Sequence, residues 1–194
     1  MARPDIKNTR RDQILDAFET CVARYGIEGA TLAKTAEQAN LARPLVRHNV
    51  GNRNALIDAL VERFLKRSND VMDNFIASLP TENRTRAAIE FLFDPKHTDP
   101  HLVQVSYALI THAQENTKLA ITMQTWMEEF IARMDDLIAQ DFPNAEPTKV
   151  TAVASGITGI YFNVETMYGL GNVERLIACS KKAAFILLES LEKS

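Results

Sequence analysis

Apolar residues at Ile14, Phe18, Val22 and Tyr25 recur at i, i+4, i+8 and i+11, a spacing that lines one face of an α-helix. That helix is expected from about Thr9 to Tyr25, with Gly26 and Gly29 ending it. Thr31 is then placed to cap a short helix running through Ala39, because its hydroxyl can accept a free N–H of the first turn. Asn40 follows, a residue that tolerates the left-handed backbone of a sharp turn. Pro44 suits the first turn of a second short helix, Arg43 to about Asn49, where its missing N–H costs nothing. Asn52 caps a longer helix whose apolar residues Leu56, Leu60, Phe64 and Val71 run to about Ser78, before Pro80 breaks the pattern. Five more helices are expected beyond residue 80. Their interruptions fall at Asp94-Pro95 through Pro100, near Asn116, at Phe142-Pro143 and at Gly169-Leu170-Gly171.

The pattern predicts an all-α fold of about nine helices. An N-terminal three-helix, helix-turn-helix domain (1–54) is joined by a long helix to a C-terminal helical domain (55–194). Composition is that of an ordinary globular chain, with 46% hydrophobic and 24% charged residues. The longest uncharged stretch, Val150 to Val164, is too short and too polar for a membrane span. Met1-Ala2-Arg3-Pro4-Asp5 does not resemble a secretory leader, so a cytoplasmic protein is expected, with Cys21 and Cys179 as reduced core thiols. The net charge of −3 hides an asymmetry: residues 1–67 carry 12 Lys and Arg against 8 Asp and Glu, and the remainder 10 against 17. A basic first third fits a phosphate-contacting surface, and it also fits a solvated helix face.

Three segments carry a resemblance: Gly26-Ile27-Glu28-Gly29-Ala30-Thr31-Leu32, then Ala36-Glu37-Gln38-Ala39-Asn40-Leu41-Ala42-Arg43-Pro44, then Gly51-Asn52-Arg53-Asn54-Ala55-Leu56-Ile57. In register and without gaps over residues 10 to about 65, they resemble the DNA-binding domain of the tetracycline-repressor (TetR) family. The resemblance implies a homodimer that binds a double-stranded palindromic operator, and a C-terminal half that forms an effector pocket and the dimer interface. The family usually ends its recognition helix on a Tyr-x-Tyr-Phe-like run; here the run is Arg47-His48-Asn49-Val50. It tends to have Lys where Arg53 stands, a position the resemblance assigns to a backbone phosphate.

The second short helix supplies Arg43, Pro44, Leu45, Arg47, His48 and Asn49 as candidates for the groove, since Arg pairs with guanine and Asn with adenine. Thr31, Lys34, Asn52 and Arg53 are expected near phosphates, and Arg10 and Arg11 near the backbone or minor groove, where solubility is an equal reading. The candidate effector pocket is Phe91, Tyr107, His112, Met123, Trp126, Met127, Phe130, Tyr161, Phe162 and Met167; such residues are usually plain core, but their density favours an apolar or aromatic small molecule. The candidate dimer interface is Gly156, Gly159, Ile160, Leu176, Ser180, Ala184, Leu187 and Leu191, where small residues allow close helix approach. The same stripe also fits an internal helix pair.

His97 and His101 stand four apart, but Pro100 argues against one continuous helix and hence against a metal site, and no cofactor is expected. The chain has no Glu-x-x-His pair, Gly-rich phosphate loop or nucleophile elbow, so an enzyme is not expected. The resulting expectation is a sequence-specific transcriptional regulator, a repressor released from its operator by a small effector. A helical adaptor using the same basic surface, or a DNA-binding regulator without a ligand, is the alternative.

Overall fold

A computed structural model of the chain describes residues 6–192. The N-terminal pentapeptide read above as no leader lies outside the described residues. Among the described residues there are nine α-helices and no strand: α1 (Ile6–Gly29), α2 (Leu32–Gln38), α3 (Arg43–Val50), α4 (Arg53–Ser78), α5 (Arg84–Leu92), α6 (Pro100–Ala113), α7 (Thr117–Asp141), α8 (Pro147–Met167) and α9 (Glu174–Glu189). Short 3-10 turns occupy Pro95–His97 and Tyr168–Leu170. No described helix is long and apolar enough to cross a membrane.

The chain forms two compact units. The first comprises the described residues through Asp70 together with Gln104–Ala120; the second comprises Val71–Val103 and the described residues from Ile121 onward. The boundary after residue 54 expected from sequence therefore falls inside the first unit. Charge explains why the first half of α4 stays with α1. Arg63 bridges Asp12, Asp16 and Glu19, and Arg67 adds a contact to Glu19 at 3.5 Å. Glu19 is a buried carboxylate, and leaving it without these guanidinium partners would be costly.

In the first unit Ile14, Phe18 and Val22 are fully buried, as their spacing requires, together with Leu56, Leu60 and Phe64 of α4. Tyr25, expected on the same face, is instead exposed. Gly26, at φ 69°, breaks the helix directly after it, and the ring lies beneath the Lys34 ammonium at 4.0 Å. Cys21 is buried as expected, and burial pushes its thiol above its ordinary value.

The second unit has its own core, in which Phe93, Ile89, Met134, Ile138, Ile157 and Leu188 are almost wholly enclosed. Met72 and Phe75 enter that core while Val71, expected to be apolar-facing, is exposed. Helix ends are closed by side chains from elsewhere in the unit. Arg84 donates to the Ile76 carbonyl at 3.1 Å, and Asp141 accepts the Thr85 N–H at 2.7 Å. The latter serves the N-terminus of α5, whose own cap residue Asn83 is left-handed and makes no side-chain bond. Glu146 caps α8 through the Thr148 and Lys149 N–H groups, and the bond from the Thr148 hydroxyl, joined by these two, holds its carboxyl below the usual range. Cys179 is exposed on α9, contrary to the core position expected of it, because it lies on the face of α9 opposite Leu188 and Ala184.

Removing the Thr31 hydroxyl deprives α2 of its cap. Thr31→Ala is expected to lower unfolding stability by about 1 kcal/mol, read as a lower urea midpoint with an unchanged slope. A change well below about 0.5 kcal/mol would show that the Thr31 hydroxyl contributes less than a cap gives even in a peptide host.

Candidate nucleic-acid interface and effector site

The turn between α2 and α3 is fixed by a closed set of bonds. Thr31 Oγ1 accepts the Lys34 N–H at 3.2 Å at the start of α2, and the buried Thr35 hydroxyl donates to the Thr31 carbonyl at 2.9 Å. At the end of α2 the Leu41 N–H bonds the Ala36 carbonyl at 2.9 Å and the Asn40 N–H bonds the Glu37 carbonyl at 3.0 Å. With Asn40 at φ 55°, these two bonds form a Schellman cap whose left-handed residue is Asn rather than Gly. Gln13 of α1 donates to the Ala39 carbonyl at 3.0 Å, tying the turn to the first helix.

α3 packs on α1 and α2 and buries one residue, Val46. With about 100° per residue, the side opposite Val46 is centred on Pro44 and His48, flanked by Arg47 and Leu45. All four of these residues are exposed, as is Arg43. Asn49 lies nearer the packed side, is half-buried, and donates its amide to the Leu45 carbonyl of its own helix at 2.8 Å. Bidentate pairing of Asn49 with a base would require that bond to be given up, so Pro44, Leu45, Arg47 and His48 are the side chains the fold presents.

The expected phosphate contacts divide in two. Lys34 and Arg11 are exposed, with Arg11 beside Val50 and Ala55; Arg10 donates to Gln13 at 3.3 Å. Asn52 and Arg53 have structural duties. Asn52 Oδ1 accepts the Ala55 N–H at 2.9 Å, capping α4. Arg53 donates to the Ile27 carbonyl at 2.6 Å and pairs with Glu28 at 3.3 Å. Its guanidinium has five donors, so this tie and a phosphate contact are compatible. Glu28 also meets His112 Nδ1 at 3.2 Å, which attaches α6 to the end of α1.

His112 thus lies in the first unit, together with Tyr107, which is 61% exposed. Both therefore belong to a different unit from the aromatic cluster, and Tyr107 points away from the face of α6 that buries Val105 and Leu109. Phe91 is also apart, stacked on His97 at 3.8 Å and tilted against Phe75 at 4.9 Å. His97 thus lies in the 3-10 turn, separated from His101 of α6 by the break that Pro100 implied.

The remaining aromatic candidates do converge. Trp126 meets Phe162 edge-on at 5.4 Å, Phe130 meets Phe162 at 5.0 Å and stacks on Tyr161 at 5.9 Å, and Phe93 approaches Tyr161 at 6.2 Å. Met123 is buried, whereas Met127, Phe130, Tyr161, Phe162 and Met167 are half-buried. The sequence reading missed Glu165, whose carboxylate accepts the Tyr161 hydroxyl at 2.6 Å. Burial raises Glu165 above its ordinary value; the Tyr161 bond opposes this and the charge of Asp99 adds to it. Burial pushes Tyr161 well up, with the Glu165 charge contributing, and raises Tyr168 beside it. The missed signal was the i, i+4 spacing of Tyr161 and Glu165 in a helix whose other charged residue is Lys149 in its first turn.

The expected interface stripe is corrected on burial. Ala184 and Leu191 are enclosed in the unit's own core, and a Cβ on Gly156 would stand 3.0 Å from Leu187 of the same chain, so these positions serve the α8–α9 contact within the chain. The outward stripe is Leu176, Cys179, Ala183 and Ile186 on α9, with Ala152, Ser155 and Gly159 on α8; nothing lies within 4 Å of a Cβ on Gly159.

A helix-turn-helix preceding a separate all-helical unit with an aromatic cluster defines the general class. No family model matches the chain. The HTH-type transcriptional regulator BetI of Burkholderia cenocepacia is 23% identical over 163 residues, 82% of each chain. Among solved structures, a TetR-like transcriptional regulator from Rhodococcus sp. RHA1 superposes with a TM-score of 0.69 at 19% identity, covering 92% of this chain and 93% of the other. A protein of Pseudomonas aeruginosa PAO1 put forward as a transcriptional regulator gives a TM-score of 0.75 at 18% identity, covering 96% and 92%. The chain is thus similar in sequence to an HTH-type transcriptional regulator and shares the all-helical fold of a TetR-like regulator.

Glu165 yields a pH dependence with a definite sign. Its pKa is raised on folding, so its contribution to stability is complete below the ordinary value of 4.5 and is lost as pH rises through the raised one. Glu165→Gln can still accept the Tyr161 bond and removes this loss. The difference in melting temperature, variant minus wild type, should become more positive from pH 4 towards neutrality, and a difference that is flat with pH would contradict the burial of an ionising Glu165.

Proposed function

We propose that the chain is a one-component transcriptional repressor. Two copies bind a palindromic operator through their α3 helices, and a small molecule held in the second unit releases them. The observation that carries this reading is the exposed face of α3, with Pro44, Leu45, Arg47 and His48 outward and Val46 buried, on a turn closed by the Asn40 Schellman cap. A short helix seated by one buried residue, with Arg47 and His48 beside Pro44 and Leu45 on its outer face, suits the major groove. The excess of Lys and Arg in residues 1–67 supplies the sequence-independent part of the affinity.

Support for a homodimer comes from the outward α8–α9 stripe, where Ile186 is 58% exposed and small residues would let a second copy approach closely. Support for an effector comes from the aromatic cluster around Tyr161 and Phe162. Repression is the simpler reading, because occupancy alone can block a promoter. The relatives being regulators favours action in the cytoplasm, where the DNA is.

Selection of fragments from random DNA by the purified protein at near-physiological salt should recover a palindrome with half-sites about 10 bp apart or a multiple of that. Affinity for it should fall steeply with added salt. Recovery of nothing above background, or binding indifferent to salt, would overturn the reading in favour of a protein adaptor. Ile186→Glu should yield a folded monomer by sedimentation velocity and lose operator affinity; a dimer of unchanged affinity would move the interface elsewhere.

A further inference from the structure

Two cations of the first unit meet on one ring. The Lys34 ammonium lies over the Tyr25 ring at 4.0 Å from its centroid, and the Arg24 guanidinium carbon lies over the same ring at 5.2 Å. All three side chains are exposed. Like charges gathered in this way repel each other, and attraction to an exposed ring offsets only part of that. Three other guanidiniums of the unit are set against carboxylates: Arg53 against Glu28, and Arg63 and Arg67 against Asp12, Asp16 and Glu19. Arg24 and Lys34 have no carboxylate partner among the described residues. Glu37 is in the neighbourhood, since its charge and both of theirs reach the Cys21 thiol that burial raises, but it pairs with neither cation.

The ring is held by the backbone. Past the break at Gly26, φ 69°, the chain passes so close to Tyr25 that a Cβ on Gly29 would stand 2.7 Å from the Tyr25 Cβ, an approach that only glycine allows. Lys34 is fixed at its own backbone, because its N–H is the donor that Thr31 Oγ1 accepts at 3.2 Å. The cluster therefore sits on the first turn of α2, the helix before α3. In a helix-turn-helix that first helix crosses the phosphate backbone while the second lies in the groove. The two cations lack an anion, and a row of phosphodiesters passes over α2 in that arrangement. A lysine already resting on a ring also gives up less side-chain freedom when it meets a phosphate than one extended into water.

We infer that Arg24, Tyr25 and Lys34 form one phosphate-binding site for the operator backbone, in which Arg24 and Lys34 supply the charge and the Tyr25 ring is the positioning residue that holds them. Lys34 was legible in the sequence as a phosphate contact, whereas Arg24 and Tyr25 join it only through the fold. The inference deepens the proposed function and rests on α3 entering the major groove. Such a site contributes affinity without reading sequence.

The test is fluorescence anisotropy of the full-length protein with two labelled duplexes of equal length, the selected palindrome and a random sequence, over a range of salt. Arg24→Gln is expected to make the slope of log K against log salt less steep by about 0.9 per protomer, or about 1.8 for a bound dimer, on both duplexes, and to leave the selected sequence unchanged. Tyr25→Leu keeps both cations and is expected to weaken both duplexes at least about threefold, while Tyr25→Phe, which keeps the ring, binds as wild type. In a Lys34→Gln, Arg24→Gln background the loss from Tyr25→Leu should disappear, which a merely structural role of the ring would not produce. Melting temperatures establish that each variant is folded. An unchanged salt slope in Arg24→Gln, or a loss from Tyr25→Leu that persists without the two cations, would overturn the inference and leave the regulator reading standing. If the random duplex shows the expected changes but no palindrome is ever selected, the phosphate site stands and the sequence-specific reading falls. If the wild-type protein binds neither duplex at low salt, both fall.

Discussion

Val46 is the single residue of α3 that is buried, and the functional account depends on it. A helix of eight residues has little stability of its own, because nucleation is unfavourable and few hydrogen bonds follow. It holds its conformation here through packing on α1 and α2 and through the turn before it. Anchoring at one position also fixes rotation about the helix axis. Once Val46 faces inward, Pro44, Leu45, Arg47 and His48 must face outward, whatever their individual preferences.

The turn enforces the same geometry by other means. Asn40 in the left-handed region closes α2 with the two bonds of a Schellman cap, and Gln13 reaches from α1 to the Ala39 carbonyl only because α2 ends where it does. Arg53 and Glu28 then join the start of α4 to the end of α1, and Arg63 and Arg67 extend that connection over Asp12, Asp16 and Glu19. The first unit is therefore held by an apolar core of Phe18, Val22 and Leu60 and by a row of guanidinium contacts, so that α3 is presented on a rigid support.

Much of this was legible in the sequence because it is local. Thr31, Asn40, Pro44 and Asn52 act within a few residues of themselves, and the structure finds the helix limits within a few residues of the expected ones. The second unit was less legible, since its assignments depend on which face of a helix meets which neighbour. The α9 stripe read as an interface mixed two faces: Ala184 and Leu191 turn into the core, while Cys179 and Ile186 turn out. Apolar periodicity identifies a buried face but not what buries it. Tyr107 and His112 were grouped with the aromatic cluster by residue type, and the fold assigns them to the other unit. Glu165 was passed over because charge in an apolar helix reads as solvent-facing until its surroundings are known.

The most direct measurement of the central claim is the sequence preference of α3. The operator selected by the wild-type protein should be compared with that selected by a double variant, Arg47→Ala with His48→Ala, whose melting temperature is matched because neither side chain is buried. The account predicts a loss of preference confined to a few positions in each half-site, with affinity for the remaining sequence reduced. An identical preferred sequence and undiminished affinity would show that the exposed face of α3 does not read DNA.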